Sequence, residues 1–288
     1  MSGTPAKTSG TGAPPAEPRP ATAPPPNGPL PAAEFPAAGA RALLAPDPGR
    51  AAAEVARLVA EAVAGADSRF TLVISGGRGP RPLFRMLAEE QPVPLPWERV
   101  HVFWADERCV PPDHPESNAG RARDLLLDRV TLPAGNVHRI HGEDPPERAA
   151  AAYRAELARF FRAELPAFDL VLLGLGADGH TCSLFPGSRA IESPRAAEAA
   201  VAPEGVRDRV TLTPAALRGA AAVVFLVTGG DKAPAVVRAL EGEGTPSELP
   251  SRAVRPAGGE PLWVLDRDAA SGLRGVRWSP RAAPGRSR

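Results

Sequence analysis

His180 stands in a run from Phe168 to Gly187 that reads FDLVLLGLGADGHTCSLFPG. An imidazole titrates near neutral pH and is the side chain most often used to take a proton from water or a hydroxyl. Asp178 lies two residues before it, between Gly176 and Gly179, and Asp106 supplies a second carboxylate in the segment VFWADER, residues 102–108. Either aspartate could orient the imidazole or hold a substrate hydroxyl, and their spacing alone does not choose between them. Gly174, Gly176 and Gly179 permit the tight backbone that lets a chain pass close to a ligand. Ser75, Gly76, Gly77 and Arg78 form another such loop in ISGGRGP, residues 74–80. There the glycines let backbone N–H groups approach an anion, and a helix starting near Pro80 favours negative charge at its N-terminus. Arg108 offers a fork of donors, and Lys232 follows two glycines in FLVTGGDK, residues 225–232. A proton acceptor, two carboxylates, anion-ready loops and three cations together suit water-dependent or proton-transfer chemistry on an anionic substrate.

Other designs find no support in the residues. Val73 sits two positions before Ser75, so the GxSxG elbow of a serine esterase is missing. His101, His114, His138 and His141 show neither HExxH nor Cys/His spacing for zinc. The glycine loops lack a Walker A lysine and a full GxGxxG, so neither a nucleotide nor any other cofactor is implied. Cys109 and Cys182 are the two cysteines, too few for a disulfide framework and consistent with a reducing compartment. A formal net charge of +1 exerts no general pull toward nucleic acid or a membrane surface, so any anion preference must be local.

The elements that must carry these loops alternate between strand and helix. Phe168–Gly174 is a short, nearly continuous apolar run, the pattern of a strand covered on both faces in a parallel sheet. Further strands are expected at 70–75, 100–105, 221–228 and 262–266. Helices are expected at 82–90, 118–128, 146–164 and 232–241. Val55, Leu58, Val59, Ala62 and Val63 recur at helical spacing after Asp47 and Pro48, a cap and first-turn pair. This alternation predicts an α/β fold with a mostly parallel, Rossmann-like sheet and helices on both faces. The chain's 288 residues, 43% of them hydrophobic, suffice for a single large domain, expected over residues 35–278. Residues 1–34 are dominated by Pro, Ala, Gly and Thr and read as a disordered tail, and 279–288 as a flexible one. The N-terminal segment has neither the basic start nor the apolar centre of a signal peptide, and no apolar run is long enough to span a bilayer, so a cytoplasmic location is expected. Parallel strands bring their carboxyl ends to one edge of the sheet. Gly76, Asp106, Arg108, His180 and Lys232 are therefore expected around one pocket.

Taken whole, the run around His180 closely resembles the signature GxGxDGHTxSLFPG of the 6-phosphogluconolactonases. The resemblance extends over roughly 35–278. ISGGRGP resembles that family's first strand-to-loop motif, and VFWADER with Pro111, Pro112, Ser117 and Asn118 resembles its second. RVTLTP, 209–214, and FLVTGGDK resemble the third and fourth. The resemblance implies hydrolysis of a phosphorylated sugar lactone; no metal or other cofactor is expected, and the chain is expected to be a monomer or small homo-oligomer, a choice the sequence does not make. It implies His180 as the base that activates water; the residue types themselves suggest Asp178 or Asp106 to orient the imidazole or substrate hydroxyls, and the loop of Ser75, Gly76, Gly77 and Arg78 with Arg108 and Lys232 for the phosphate. Two positions depart from the pattern: Gly79 stands where a hydroxyl residue is usual, and Cys182 where alanine is common. Two other readings compete with this one. A glucosamine-6-phosphate deaminase would carry DEY and GHIAFNEP, whereas this chain has DER and HTCSLFP. A noncatalytic sugar-phosphate sensor would normally bring a DNA-binding helix-turn-helix, and no basic recognition helix is evident.

Overall fold

The computed structural model of the chain describes residues 30, 32–35, 38–89, 95–274 and 276. Most of the expected N-terminal tail and all of 279–288 lie outside them. The boundary at residue 34 needs correction, because Ala32–Phe35 forms strand β1, paired antiparallel with β2 (Ala40–Ala45). Alanine-rich strands carry little β propensity, so neither was legible beforehand.

Asp47 and Pro48 begin helix α1 (Pro48–Ala64): Asp47 Oδ1 accepts the Arg50 N–H at 2.8 Å, and proline occupies the first turn, where no N–H is needed. Val55, Val59 and Val63 then face the core at zero exposure. The five expected strands are present as β3 (Phe70–Ile74), β4 (Val100–Trp104), β7 (Leu170–Leu173), β10 (Ala222–Val227) and β11 (Leu262–Asp266). Every residue of β3 and β7 is buried, so both faces of the sheet are covered there. With β6 (Val137–His138) they build one eight-stranded sheet in the order β1-β2-β11-β10-β7-β3-β4-β6, parallel except for β1. The helices are α2 (Pro80–Glu89), α3 (Asn118–Leu125), α4 (Pro146–Phe161), the short α5 (Pro214–Arg218) and α6 (Ala233–Leu240). The α/β fold with a mostly parallel sheet is as expected.

A second sheet was not expected. β5 (Asp106–Arg108), β8 (Ala197–Val201) and β9 (Asp208–Leu212) form a three-stranded antiparallel sheet in the order β5-β9-β8. The residues of DER thus form a strand immediately after β4, and RVTLTP runs from β9 into the start of α5 rather than along the edge of the main sheet. Three charged residues give no strand pattern, and it is pairing with β9 that makes them a strand.

The chain reverses direction across the main sheet between β3 and β7. From β3 it proceeds to β4 and β6 on one side, then returns to β7, β10 and β11 on the other. A crevice opens at the carboxyl ends of strands at such a point. Two ties hold this seam. Asp169 Oδ2 accepts both the N–H and the hydroxyl of Thr71 at 2.7 Å, and Ser75 Oγ donates to the Leu172 carbonyl at 2.8 Å. Behind β4, the buried Tyr153 hydroxyl accepts from the Trp104 N–H at 3.0 Å and donates to its carbonyl at 2.9 Å, pinning the strand just before Asp106.

Candidate active site

A cleft of about 460 Å³ lies over the β3/β7 seam. Ser75, Gly76, Gly77 and Arg78 line it from the loop after β3, and Asp106 and Arg108 from β5. His180 enters from the loop after β7, and Lys232 from the turn after β10. Residues separated by up to about 160 positions meet because four neighbouring strands end at one edge. Asp178 is not in the lining; it stands behind His180.

The histidine is held from one side only. Its Nδ1 lies 2.6 Å from Asp178 Oδ1, which also accepts the His180 N–H at 3.1 Å. Burial works to raise the Asp178 carboxyl, but the hydrogen bonds and charge of His180 outweigh it and keep it below the usual range. An ionised Asp178 requires the ring proton on Nδ1, which leaves the lone pair on Nε2. The side chain is 31% exposed and packs on Phe185, ring centroids 4.7 Å apart. The backbone is pinned as well: Gly176 N–H donates to the His180 carbonyl at 2.7 Å, and Thr181 Oγ1 to the Gly174 carbonyl at 2.9 Å. Between the two aspartates, it is Asp178 that the fold gives to the imidazole.

Asp106 is engaged elsewhere. It is buried, its Oδ2 accepts the Ser183 hydroxyl at 2.7 Å, and Asn118 Nδ2 donates to its carbonyl oxygen at 2.9 Å. Ser183 N–H in turn donates to Thr211 Oγ1 of β9 at 3.2 Å. The second sheet therefore carries the histidine loop as well as the DER strand. Glu107 points away from the cleft and caps α3, accepting the N–H groups of Asn118 and Ala119, each at 2.7 Å. Burial raises its carboxyl despite those bonds. Its role is to fix where Asn118 and Arg108 sit.

The cationic rim has its own geometry. Ser75 contributes backbone rather than hydroxyl, since its Oγ proton goes to Leu172. At Gly76 an added Cβ would fall 1.7 Å from Asn118 Oδ1, so only glycine lets the loop lie against that side chain. Arg78, 84% exposed, stands 3.8 Å from Asp231, and Lys232 Nζ is 3.6 Å from the same carboxylate. Arg108 donates through Nη1 to the Glu116 carbonyl, while its Nε is buried without a partner. Opposite it on β9 sits Arg209, buried, with its own Nε unpartnered and its guanidinium proton loosened by burial and by Arg108. Two adjacent guanidiniums with spare donors can offer them to the oxygens of an anion. Arg209, Asn118 and Ser183 were not singled out from the sequence as site residues, although each lies within a quoted motif. Burial beside Arg108 is the signal for Arg209, and that exists only in three dimensions.

Burial pushes the Cys182 thiol well above its usual range, against a role as nucleophile. Among the described residues, no cluster of three or more His, Cys, Asp or Glu is arranged to hold a metal ion. Nor is any helix among them long and apolar enough to cross a membrane.

Residues 46–263 match the family described as glucosamine-6-phosphate isomerases/6-phosphogluconolactonase. The chain is 42% identical over 209 residues to the 6-phosphogluconolactonase of a Nostoc species, covering 71% of this chain and 85% of that protein. With the human 6-phosphogluconolactonase it shares 39% over 231 residues, 76% of this chain and 88% of the other. The crystal structure of 6-phosphogluconolactonase from Thermotoga maritima superposes with a TM-score of 0.65 at 31% identity, covering 78% of this chain and 98% of that one. A monomeric glucosamine-6-phosphate deaminase superposes at 0.68 with 20% identity, over 80% and 99% of the two chains, a likeness of fold alone.

Proposed function

Because the chain belongs to the glucosamine-6-phosphate isomerase/6-phosphogluconolactonase family, we propose that its cleft hydrolyses 6-phospho-D-glucono-1,5-lactone to 6-phospho-D-gluconate in the oxidative pentose phosphate pathway. The chain is a lactone hydrolase, and the observation that carries its mechanism is the Asp178–His180 pair at 2.6 Å beside a cationic rim. His180 Nε2 takes a proton from a water molecule as its oxygen bonds to lactone C1. The carbonyl π electrons move onto the carbonyl oxygen, giving a tetrahedral oxyanion. As the C1–O5 bond breaks, the imidazolium returns its proton to O5, and the new carboxylic acid loses a proton to solvent. Asp178 holds the ring in the required tautomer and stabilises the transient imidazolium. The loop of Ser75, Gly76, Gly77 and Arg78, with Lys232, receives the phosphate through backbone N–H groups and positive charge. Arg108, backed by Arg209, meets the phosphate or the developing carboxylate. Asp106 positions Ser183 and Asn118, and through them the histidine loop.

The deaminase reading is not favoured, because the segment after His180 reads TCSLFP and lacks the carboxylate of NEP. The test is the disappearance rate of freshly generated lactone with wild-type chain, His180→Ala chain and no protein, since the lactone also opens unaided. The expected result is a wild-type acceleration that drops by about 10²–10⁴-fold in kcat in the variant, with KM changed little. Equal turnover of the two proteins would remove His180 as the base. Absence of acceleration by folded wild type, with ammonia released from glucosamine 6-phosphate, would replace the reaction itself.

A further inference from the structure

A second pocket, of about 310 Å³, is enclosed by α2, the loop at 111–115 and α3. Its walls carry Arg81 and Arg85 from α2 and Arg121 and Arg123 from α3. Arg123 already meets Asp124 at 3.5 Å and Asp128 at 3.9 Å. The other three form no ion pair among the described residues. Asp113 and Asp124 line the pocket too, but among the described residues neither forms an ion pair with this trio. Arg81 Nε is buried with no hydrogen-bond partner, an unmet donor that is costly unless something accepts from it. Burial first, then Arg81 and Arg108 nearby, loosen the Arg121 proton, and the carboxylates of Glu116 and Glu107 offset this only in part. His114 Nδ1 accepts the Glu116 N–H at 3.1 Å, so a neutral ring carries its proton on Nε2 as one more donor in the wall.

The frame is a built one. Gly120 of α3 lies so close to the 111–115 loop that a Cβ there would stand 2.0 Å from the Pro112 carbonyl oxygen, and Arg121 donates to the Pro115 carbonyl. Guanidinium forks match the oxygens of phosphate in pairs, and a compact dianion answers three unpaired cations better than a single carboxylate. No Phe, Tyr or Trp lines the pocket, so a nucleic acid strand would find no stacking platform. We propose that this pocket is a second anion site, separate from the cleft, that binds a compact phosphate-bearing metabolite such as a phosphomonoester or pyrophosphate. The same two helices touch both places: α2 leaves the glycine loop at Pro80, and α3 begins at Asn118. An occupant would tie together the elements that frame the cleft.

The probe is inorganic pyrophosphate, titrated calorimetrically in about 0.15 M salt, where loose surface attraction is screened. Full-length chain carrying Arg78→Ala and Lys232→Ala weakens the cleft's own hold on phosphate. That chain is expected to bind one pyrophosphate, and adding Arg85→Ala with Arg121→Ala should weaken binding by at least about 10-fold. In the otherwise natural chain, Arg85→Ala with Arg121→Ala should leave lactone turnover unchanged, which also certifies the fold. Should the Arg121 change loosen the loop, Arg85→Glu alone, at an exposed position, must still weaken binding at least severalfold. Failure of the cleft-disabled chain to bind, or binding indifferent to the Arg85 and Arg121 changes, overturns the proposal. Neither result bears on the lactonase chemistry, which is read separately.

Discussion

Asp178 illustrates how a single hydrogen bond sets both reactivity and acid response. Its bond to Nδ1 keeps the lone pair of His180 on Nε2. Asp178→Asn is expected to preserve KM while lowering kcat on the order of 10²-fold, because an amide at that place accepts the Nδ1 proton less strongly and does not stabilise an imidazolium. Steady-state kinetics with the lactone checks it, and an unchanged kcat would confine Asp178 to loop structure. The same group also predicts a pH effect. Its carboxyl is held below the usual range in the folded chain, so the folded state gives up more protons than the unfolded state near pH 4. Its contribution to stability is present above the unfolded value and lost as pH falls through the lower folded one. Urea unfolding of Asp178→Asn should therefore depend less steeply on pH below about 4 than that of the wild type.

Elements matter here through close approaches that single residues cannot report. The loop after β3 lies against Asn118 at the start of α3, and Gly76 is the point of contact. Gly76→Ala would force Asn118 out of its bond to the Asp106 carbonyl or lift the loop, an overpacking worth about 1–3 kcal/mol. kcat/KM is expected to fall at least about 10-fold. The clash has a specific signature: in an Asn118→Ala background the same glycine change should cost much less, and a double-mutant cycle measures the difference. Additive effects would mean that the loop's backbone conformation, not its contact with α3, is what glycine supplies. The second sheet has the same logic. DER is a strand only because β9 offers it bonds, and Ser183 reaches Thr211 only because β9 lies beside the histidine loop.

For the molecule as a whole, the net charge of +1 and the crowding of Arg108, Arg209, Arg78 and Lys232 at one edge make anion attraction a local property. Fields from exposed groups such as Arg78 are screened beyond about 10 Å at 0.1 M salt. KM for the phosphorylated lactone should consequently rise severalfold between about 0.02 and 0.5 M NaCl, with kcat nearly constant. Initial-rate series at fixed pH measure this. A falling kcat at constant KM would place the salt effect on the chemistry instead.

Much of the architecture was local enough to read from residue order. The largely apolar run Phe70–Ile74 and the uninterrupted one at Leu170–Leu173 require cover on both faces, and the Asp47–Pro48 pair starts its helix through bonds made within one turn. The strand-to-loop placement of the glycine segments, and so their gathering at one edge, follows from parallel strands alone. What remained open depended on partners far along the chain. Glycine spacing could not tell whether Asp106 or Asp178 lies against the imidazole; in the fold Asp178 sits 2.6 Å from it, while Ser183 takes Asp106 Oδ2 across a gap of 77 residues. The second sheet, Arg209 beside Arg108, and the arginine pocket between α2 and α3 have no local pattern, because burial and charge crowding are properties of neighbours that only folding brings together.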